Sequence, residues 1–255
     1  MTSVPTAVVW QLDGRPHEGL DYGTRLRDLL QEAGLDVSVV ALDRRAPSAQ
    51  EISAPVHVLS GGTTLATSTE PWMTAARASL LGPLERARDG EALVLGICLG
   101  AQLIAEQLLG AGATGPSPAG LHMGLDAVHG HEPPWPSYAA VPDFHYYEVF
   151  PDAVRASRTA RLVLRGEHSE VEGFTVGQHV LAVQFHPELT VDDLERMVHH
   201  NRSLLRDFGL VPAQLLQRME ERAGGWTSAA AQDLLVRPVL RFVADGSGIS
   251  SSLAG

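Results

Sequence analysis

The sequence contains no lysine, and its 19 basic residues are all arginine. Without a lysine amine the chain has neither a Schiff-base nucleophile nor the phosphate-gripping lysine of a P-loop. Acidic residues outnumber basic ones by 30 to 19, giving a formal charge of −11. That balance argues against nonspecific nucleic-acid binding, which depends on Lys and Arg neutralising phosphates. There is one cysteine, Cys98, so no internal disulfide is available. A lone thiol suits a reducing compartment and is free for chemistry. No apolar run approaches the roughly 20 residues of a membrane span, and Met1 to Asp13 lacks the basic start of a signal peptide. A soluble, cytoplasmic protein with no membrane partner is expected.

What is there is enough for a sizeable core: 255 residues, 44% of them hydrophobic. Ala7 to Trp10 reads as a short buried strand. Tyr22 to Gly34 places Leu26, Leu29, Leu30 and Ala33 at helical spacing and stops at glycine, the common helix-ending residue. Val37 to Ala41 reads as the next strand, and this β-α-β opening implies a parallel sheet with right-handed crossovers. Val56 to Leu59 is a third strand, running into Ser60-Gly61-Gly62, and Trp72 to Ala87 reads as a helix. Ala92 to Leu95 is continuously apolar, as strands buried on both faces are. A helix over Ala101 to Leu109 follows. Between Gly110 and Asp143, rich in Gly, Pro and His, loops and short antiparallel strands are expected. Arg161–Leu164, Val171–Val176 and Val180–Phe185 read as three more strands. Val191–Phe208, Pro212–Arg222 and Ala229–Val243 then read as helices. The expected fold is α/β, a mostly parallel central sheet flanked by helices in flavodoxin-like layering, with a C-terminal helical extension.

Two short segments carry chemistry. Strand, Gly96-Ile97-Cys98-Leu99-Gly100, then helix is the nucleophile-elbow pattern with cysteine in the place of serine. A sharp strand-to-helix turn strains the backbone of the nucleophile, and a Cβ on either flanking glycine would collide with neighbouring backbone. The turn sets the sulfur near a helix N-terminus, whose dipole and free N–H groups stabilise a thiolate. The N–H of Leu99 is placed to serve as one oxyanion donor. A cysteine alone at a strand end is more often a small buried hydrophobe; the paired glycines shift the balance. The second segment, Phe185-His186-Pro187-Glu188, ends a strand, so an imidazole can reach the same sheet edge with a carboxylate to orient it. Alone, it would read better as a surface turn.

Taken in this order, Gly96-Ile97-Cys98-Leu99-Gly100-Ala101-Gln102 and Phe185-His186-Pro187-Glu188 resemble the signature of class I glutamine amidotransferases, most of all free-standing relatives of the GMP synthase glutaminase domain. Ser60-Gly61-Gly62 and Glu70-Pro71-Trp72 resemble that family's oxyanion loop and the start of its next helix. The resemblance covers roughly Val8 to Leu194. It implies that Cys98 attacks the γ-amide of glutamine, forming a γ-glutamyl thioester that water hydrolyses. His186 would be base then acid, Glu188 its orienting partner, and the N–H groups of Gly62 and Leu99 the oxyanion hole. Gly61 and Gln102 match substrate-contacting positions. Where relatives carry a His-Gly-Asp-like segment, this chain reads Phe144-His145-Tyr146-Tyr147-Glu148. His145 and Glu148 are therefore the expected contacts to the substrate's amino-acid end, with Glu148 pairing with its ammonium group. Thr63-Thr64-Leu65 follows Gly62 where proline is common.

No cofactor is implied. The substrate is expected to be glutamine or another γ-glutamyl small molecule, and the expected partner is a separate synthetase subunit that accepts the ammonia. The alternative is a stand-alone γ-glutamyl hydrolase acting on a γ-glutamyl amine or a biosynthetic intermediate, and a third reading is a non-catalytic binding module. The histidines at 122, 129, 131 and 145 fit no standard zinc spacing; no metal site is expected, and they read as solvated loop residues. The expected organisation is a catalytic domain over residues 1–194, a helical extension over 195–245 and a disordered tail over 246–255.

Overall fold

The computed structural model describes residues 6–12, 20–130, 135–223 and 228–246; His131 and nearly all of the expected tail lie outside them. The chain opens with β1 (Thr6–Gln11), α1 (Tyr22–Glu32), β2 (Asp36–Ala41), a short α2 (Ala49–Ile52), β3 (Val56–Leu59) and α3 (Pro71–Arg88). β4 (Leu93–Ile97) and α4 (Leu99–Leu108) follow, then β5 (Thr114–Pro116), β6 (His122–Gly130), β7 (Ala139–His145) and β8 (Tyr147–Val149). After α5 (Pro151–Ala156) come β9 (Ala160–Gly166), β10 (Gly173–Val176) and β11 (Val180–Val183). Helices α6 (Val191–His200), α7 (Arg202–Asp207), α8 (Pro212–Ala223) and α9 (Ser228–Asp245) end the described chain.

Nine strands form one sheet in the order β2-β1-β3-β4-β11-β10-β9-β6-β7. The first five of these are parallel to one another, and β10, β9, β6 and β7 continue the sheet antiparallel. β5 and β8 pair separately as a two-stranded antiparallel ribbon. Alternate residues of a strand face opposite sides, and β1 shows the result directly. Ala7 and Val9 join one core with Leu26 and Leu30 of α1, while Val8 and Trp10 join the other with Met73 and Leu80 of α3. Both faces being covered explains why the parallel strands read as unbroken apolar runs.

α1 ends as its sequence implies, with Gly34 at φ +88°, a left-handed conformation that costs glycine little. The single helix expected over Val191–Phe208 is broken. Asn201 caps α6, and both its backbone N–H and its side-chain amide donate to the Met197 carbonyl, which ends α6 and lets α7 start in a new direction. The segment from Gly110 to Asp143 is more regular than expected, because β6 and β7 pair over seven registered positions from His122↔His145 to Val128↔Ala139. Leu215 and Met219 of α8, and Leu234, Leu235, Val239 and Phe242 of α9, belong to the same core as α1 and β4.

Backbone approaches closely where β4 turns into α4. A Cβ on Gly100 would sit 2.6 Å from the Leu59 carbonyl oxygen, and one on Gly96 would sit 2.7 Å from the Gly100 oxygen. Gly100→Ala is expected to lower the unfolding free energy by about 1–3 kcal/mol, the usual cost of overpacking against atoms that cannot move aside. Urea unfolding measures it, and a variant as stable as the parent would contradict this account of the turn.

Candidate active site

Parallel strands deliver their carboxyl ends to one edge of a sheet, where turns into helices can hold reactive groups. β4 and β11 are parallel neighbours there. Past Ile97 the chain turns at Cys98 with φ 50° and ψ −107°, and among the described residues Cys98 is the one non-glycine with positive φ. A cysteine in that region is strained, and the neighbours hold it. Its N–H donates to the Val183 carbonyl of β11 at 2.8 Å, and the N–H of Gly100 donates to the Ser60 carbonyl at 3.1 Å. One hydrogen bond ties the elbow to the strand that leads to His186. The other ties it to the Ser60-Gly61-Gly62 loop.

The imidazole of His186 reaches the thiol from that adjacent strand. Its Nδ1 lies 2.8 Å from Glu188 Oε1, and the Cys98 sulfur is close enough to favour a proton on the ring. Its backbone N–H donates to Pro142 of β7 at 2.8 Å, and Tyr22 stacks on the ring with centroids 5.2 Å apart and planes 23° apart. Gly61 makes room for it, since a Cβ there would fall 2.4 Å from His186 Cε1. Gly62 packs just as closely on the first turn of α4, where a Cβ would meet Leu99 Cδ2 at 2.8 Å and the Leu12 carbonyl oxygen at 2.9 Å. Ser60 locks the loop: its hydroxyl accepts from the N–H of Leu12 and donates to the carbonyl of Gly61. Cys98, His186, Glu188, Gly61, Gly62 and Leu99 are thus brought together.

Charge in the site is buried. Burial opposes a proton on His186, but Glu188 and then Cys98 outweigh it and hold the imidazole well above its ordinary range. A thiolate–imidazolium pair oriented by a carboxylate can attack an acyl carbon and return the proton to a leaving group.

The residues expected at the substrate's amino-acid end also lie here. Gln102 is buried, and its amide donates to the Tyr147 carbonyl at 2.7 Å and to Gln184 Oε1 at 3.3 Å. Glu148 stands on β8, buried, with Oε2 lacking a hydrogen-bond partner. His145 ends β7 beside the thiol, and the carbonyl of the preceding residue, Phe144, is 3.9 Å from the sulfur. Burial opposes charge on His145, but Asp143, then Cys98 and Glu148, outweigh it and raise its pKa to about 9.

Three of the histidines read as solvated loop residues, His122, His129 and His145, are strand residues instead. His122 and His145 face each other across the β6–β7 ladder, and His145 is 5% exposed. Hydrophobic neighbours on both strands draw them inward. Of the other two, His129 is exposed.

Sequence reading misses Tyr22, Asp143, Glu172 and Gln184, which come together only through the sheet. Glu172 is fully buried; burial first, and then Asp143 and Asp126, push its carboxyl well above the ordinary range. Among the described residues, two sets of donor atoms lie within 4.8 Å of one another and could hold a metal ion, His122–Asp126–His168 and Asp143–His145–Glu172.

The model of the family described as "Glutamine amidotransferase class-I" matches residues 19–204. No curated protein matches the chain. Among solved structures it is similar to a glutamine amidotransferase from Thermotoga maritima, at 20% identity and a TM-score of 0.71, covering 95% of this chain and 100% of that one. It is similar also to a glutamine amidotransferase from Methylobacillus flagellatus, at 20% identity and a TM-score of 0.66, with 96% of each chain covered. A protein from Thermoplasma acidophilum assigned to GMP synthase matches at 22% identity and a TM-score of 0.57, over 81% of this chain and 98% of that one. A strained cysteine elbow on a mostly parallel sheet, with a histidine and a carboxylate at the same edge, defines a class of cysteine-centred α/β proteins. Within that class, the chain belongs to the class I glutamine amidotransferase family.

The raised pKa of His186 has a consequence for stability. The folded state keeps a proton that the unfolded chain loses near the ordinary histidine value of 6.5. The pair's contribution is therefore complete below about pH 6.5 and is lost as pH rises through the folded value. The unfolding free energy of the parent minus that of His186→Gln is expected to fall as pH rises above about 6.5 in urea titrations. A difference that stays flat or grows would show that His186 is neutral in the folded protein.

Proposed function

We propose that the protein hydrolyses the γ-amide of glutamine through a γ-glutamyl thioester on Cys98 and supplies the ammonia to a separate synthetase subunit. The observation that carries this reading is the Cys98–His186–Glu188 constellation, built on the one strained non-glycine residue among those described. Membership of the family supports glutamine as the γ-glutamyl donor. The likeness to a protein assigned to GMP synthase favours a synthetase as partner. No described helix is long and apolar enough to cross a membrane, and a reduced thiol fits action in the cytoplasm.

In this mechanism the sulfur attacks the γ-carbonyl, and the N–H groups of Gly62 and Leu99 hold the oxyanion. The proton held by His186 passes to the departing nitrogen, and ammonia leaves. Water then attacks the thioester with His186 as base, releasing glutamate and restoring the thiol. Glu188 fixes the ring so that one nitrogen always faces the sulfur. Gly61 leaves space for the substrate against the loop, and Gln102 and His145 border the amino-acid end. Glu148, buried with one oxygen unpartnered, pairs with the substrate's ammonium.

The Tyr146-Tyr147-Glu148 sequence in place of a Gly-Asp-like one motivates the second reading, hydrolysis of a γ-glutamyl amine. It shares the acyl-enzyme and differs only in the leaving group.

Intact-mass labelling with 6-diazo-5-oxo-norleucine, with Cys98→Ala as control, followed by an ammonia-release assay, tests the proposal. One label per chain at Cys98 together with ammonia release from glutamine is expected. Turnover of γ-glutamyl amines but not of glutamine would replace the first reading by the second, and no label at Cys98 would sink both. In the turnover assay Cys98→Ala is expected to abolish activity and His186→Ala to lower kcat by about 10²–10⁴-fold. Glu188→Ala should cost less, since the orienting member of such a unit contributes least. Near-native turnover by Cys98→Ala would remove the nucleophile assignment.

A further inference from the structure

Behind the thiol lies more buried acid than the triad uses. Asp143 and His145 alternate along β7 and share one of its faces. Glu172 leads into β10, and His122 stands across the ladder from His145. Asp143 and Glu172 are completely shielded from solvent. Yet both oxygens of each, both ring nitrogens of His145 and Nε2 of His122 lack a hydrogen-bond partner. Buried carboxylates in folded proteins are almost always satisfied, and a group of orphans in one place calls for a ligand.

The geometry says what kind of ligand. His145 Nε2 is 3.0 Å from Asp143 Oδ2, and His122 Nε2 is 3.7 Å from the same oxygen. Neither contact is aligned as a hydrogen bond, which leaves these donor atoms close together and unpartnered. Ligands bound tetrahedrally at about 2.0–2.1 Å from an ion stand about 3.3 Å apart, which is the spacing found here. Donor atoms of Asp143, His145 and Glu172 all lie within 4.8 Å of one another, and His122 borders that set through Asp143. Two imidazoles and two carboxylates suit a borderline transition ion better than calcium or magnesium, which prefer all-oxygen shells. Two carboxylates and one dication also leave the buried site neutral.

We propose that Asp143, His145 and Glu172, with His122 as fourth ligand, bind one divalent transition-metal ion of the zinc class. The ion joins β6, β7 and the start of β10, behind the segment whose Pro142 and Phe144 carbonyls face His186 and Cys98. It is a structural ion that takes no part in the reaction, and the proposal does not depend on which γ-glutamyl compound is cleaved. A cavity of about 300 Å³ is bordered by His122, His168, Met219 and Arg222, so it reaches the outermost of these residues. The ring of His168 stacks on that of His122 at 3.9 Å and is held by Asp126 at 2.9 Å, so it supports His122 from outside the ligand set.

The test uses the full chain with Cys98→Ala, which removes the thiol as a competing ligand, depleted of metal and titrated with ZnCl2 by calorimetry. Bound metal is counted by mass spectrometry. One zinc per chain is expected, with affinity at least about 10-fold weaker in Asp143→Asn and in Glu172→Gln, and unchanged within about 3-fold in His168→Gln. No saturable binding would overturn the proposal and leave protons as what neutralises the acids. Binding that survives both carboxylate substitutions, or that is lost with His168→Gln alone, would also overturn it by placing the ion elsewhere. If a carboxylate variant does not fold, Co2+ bound to the Cys98→Ala protein decides. Intense tetrahedral bands in the visible are expected, and the weak bands of an octahedral ion would overturn the four-ligand site.

Discussion

The backbone at Cys98 is the constraint from which the rest of the site follows. A non-glycine residue at φ 50° costs on the order of 1–3 kcal/mol and persists only where surroundings over-determine it. Here they do so from three sides. β11 accepts the Cys98 N–H, the Ser60 carbonyl accepts the N–H of Gly100, and α4 starts at once with its first residues buried. Each restraint also performs a second task. The hydrogen bond to Val183 fixes the register of the strand that carries His186. The bond from Gly100 fixes the loop that carries Gly61 and Gly62. Gly96 and Gly100 matter because the closeness of β3, β4 and α4 leaves no room for a methyl group at either position.

Electrostatics at this edge does not favour stability as such. Removing charges from water costs several kcal/mol per ion, and a buried pair recovers that only with good geometry. His186 with Glu188, and His145 with Asp143, are both pairs of this kind. Their counterparts at the surface, such as Arg45 with Glu51, cost less and carry no chemistry. An apolar interior would have been the more stable solution. The protein instead concentrates its buried acids and imidazoles around its single thiol, as expected where charge must be held ready for a reaction.

Most of the fold is legible because parallel strands buried on both faces announce themselves as apolar runs. Val56–Leu59 reads with its observed limits, and Cys98, His186 and Glu188 can be found from local motifs. What stays hidden has a common physical cause. β6 falls in a stretch that reads as loops and short antiparallel strands because Gly124 and Gly130 interrupt it and His122 and His129 dilute it, yet pairing with β7 on one side and β9 on the other makes it a nine-residue strand. The break at Asn201 depends on where one amide points, which periodicity does not report. Asp143, His145 and Glu172 are brought together by strand pairing across the antiparallel half of the sheet. No spacing along the chain encodes that meeting.

The two halves of the sheet therefore divide the labour. The parallel half, β2 to β11, leads into the Cys98 elbow, the Ser60-Gly61-Gly62 loop and His186. The antiparallel half, with the β5–β8 ribbon, carries His145 and Glu148. The two are coupled through Gln102, which belongs to α4 directly after the elbow and donates to the Tyr147 carbonyl of β8. Turning the ribbon would break that bond and leave a buried amide and carbonyl unsatisfied, at about 1–3 kcal/mol each. The elbow at Cys98 is thus mechanically tied to the segment that carries Glu148. Because that contact is made by the main chain of residue 147, it does not depend on the Tyr147 side chain, and the elbow keeps its tie to β8 as long as this carbonyl keeps its place.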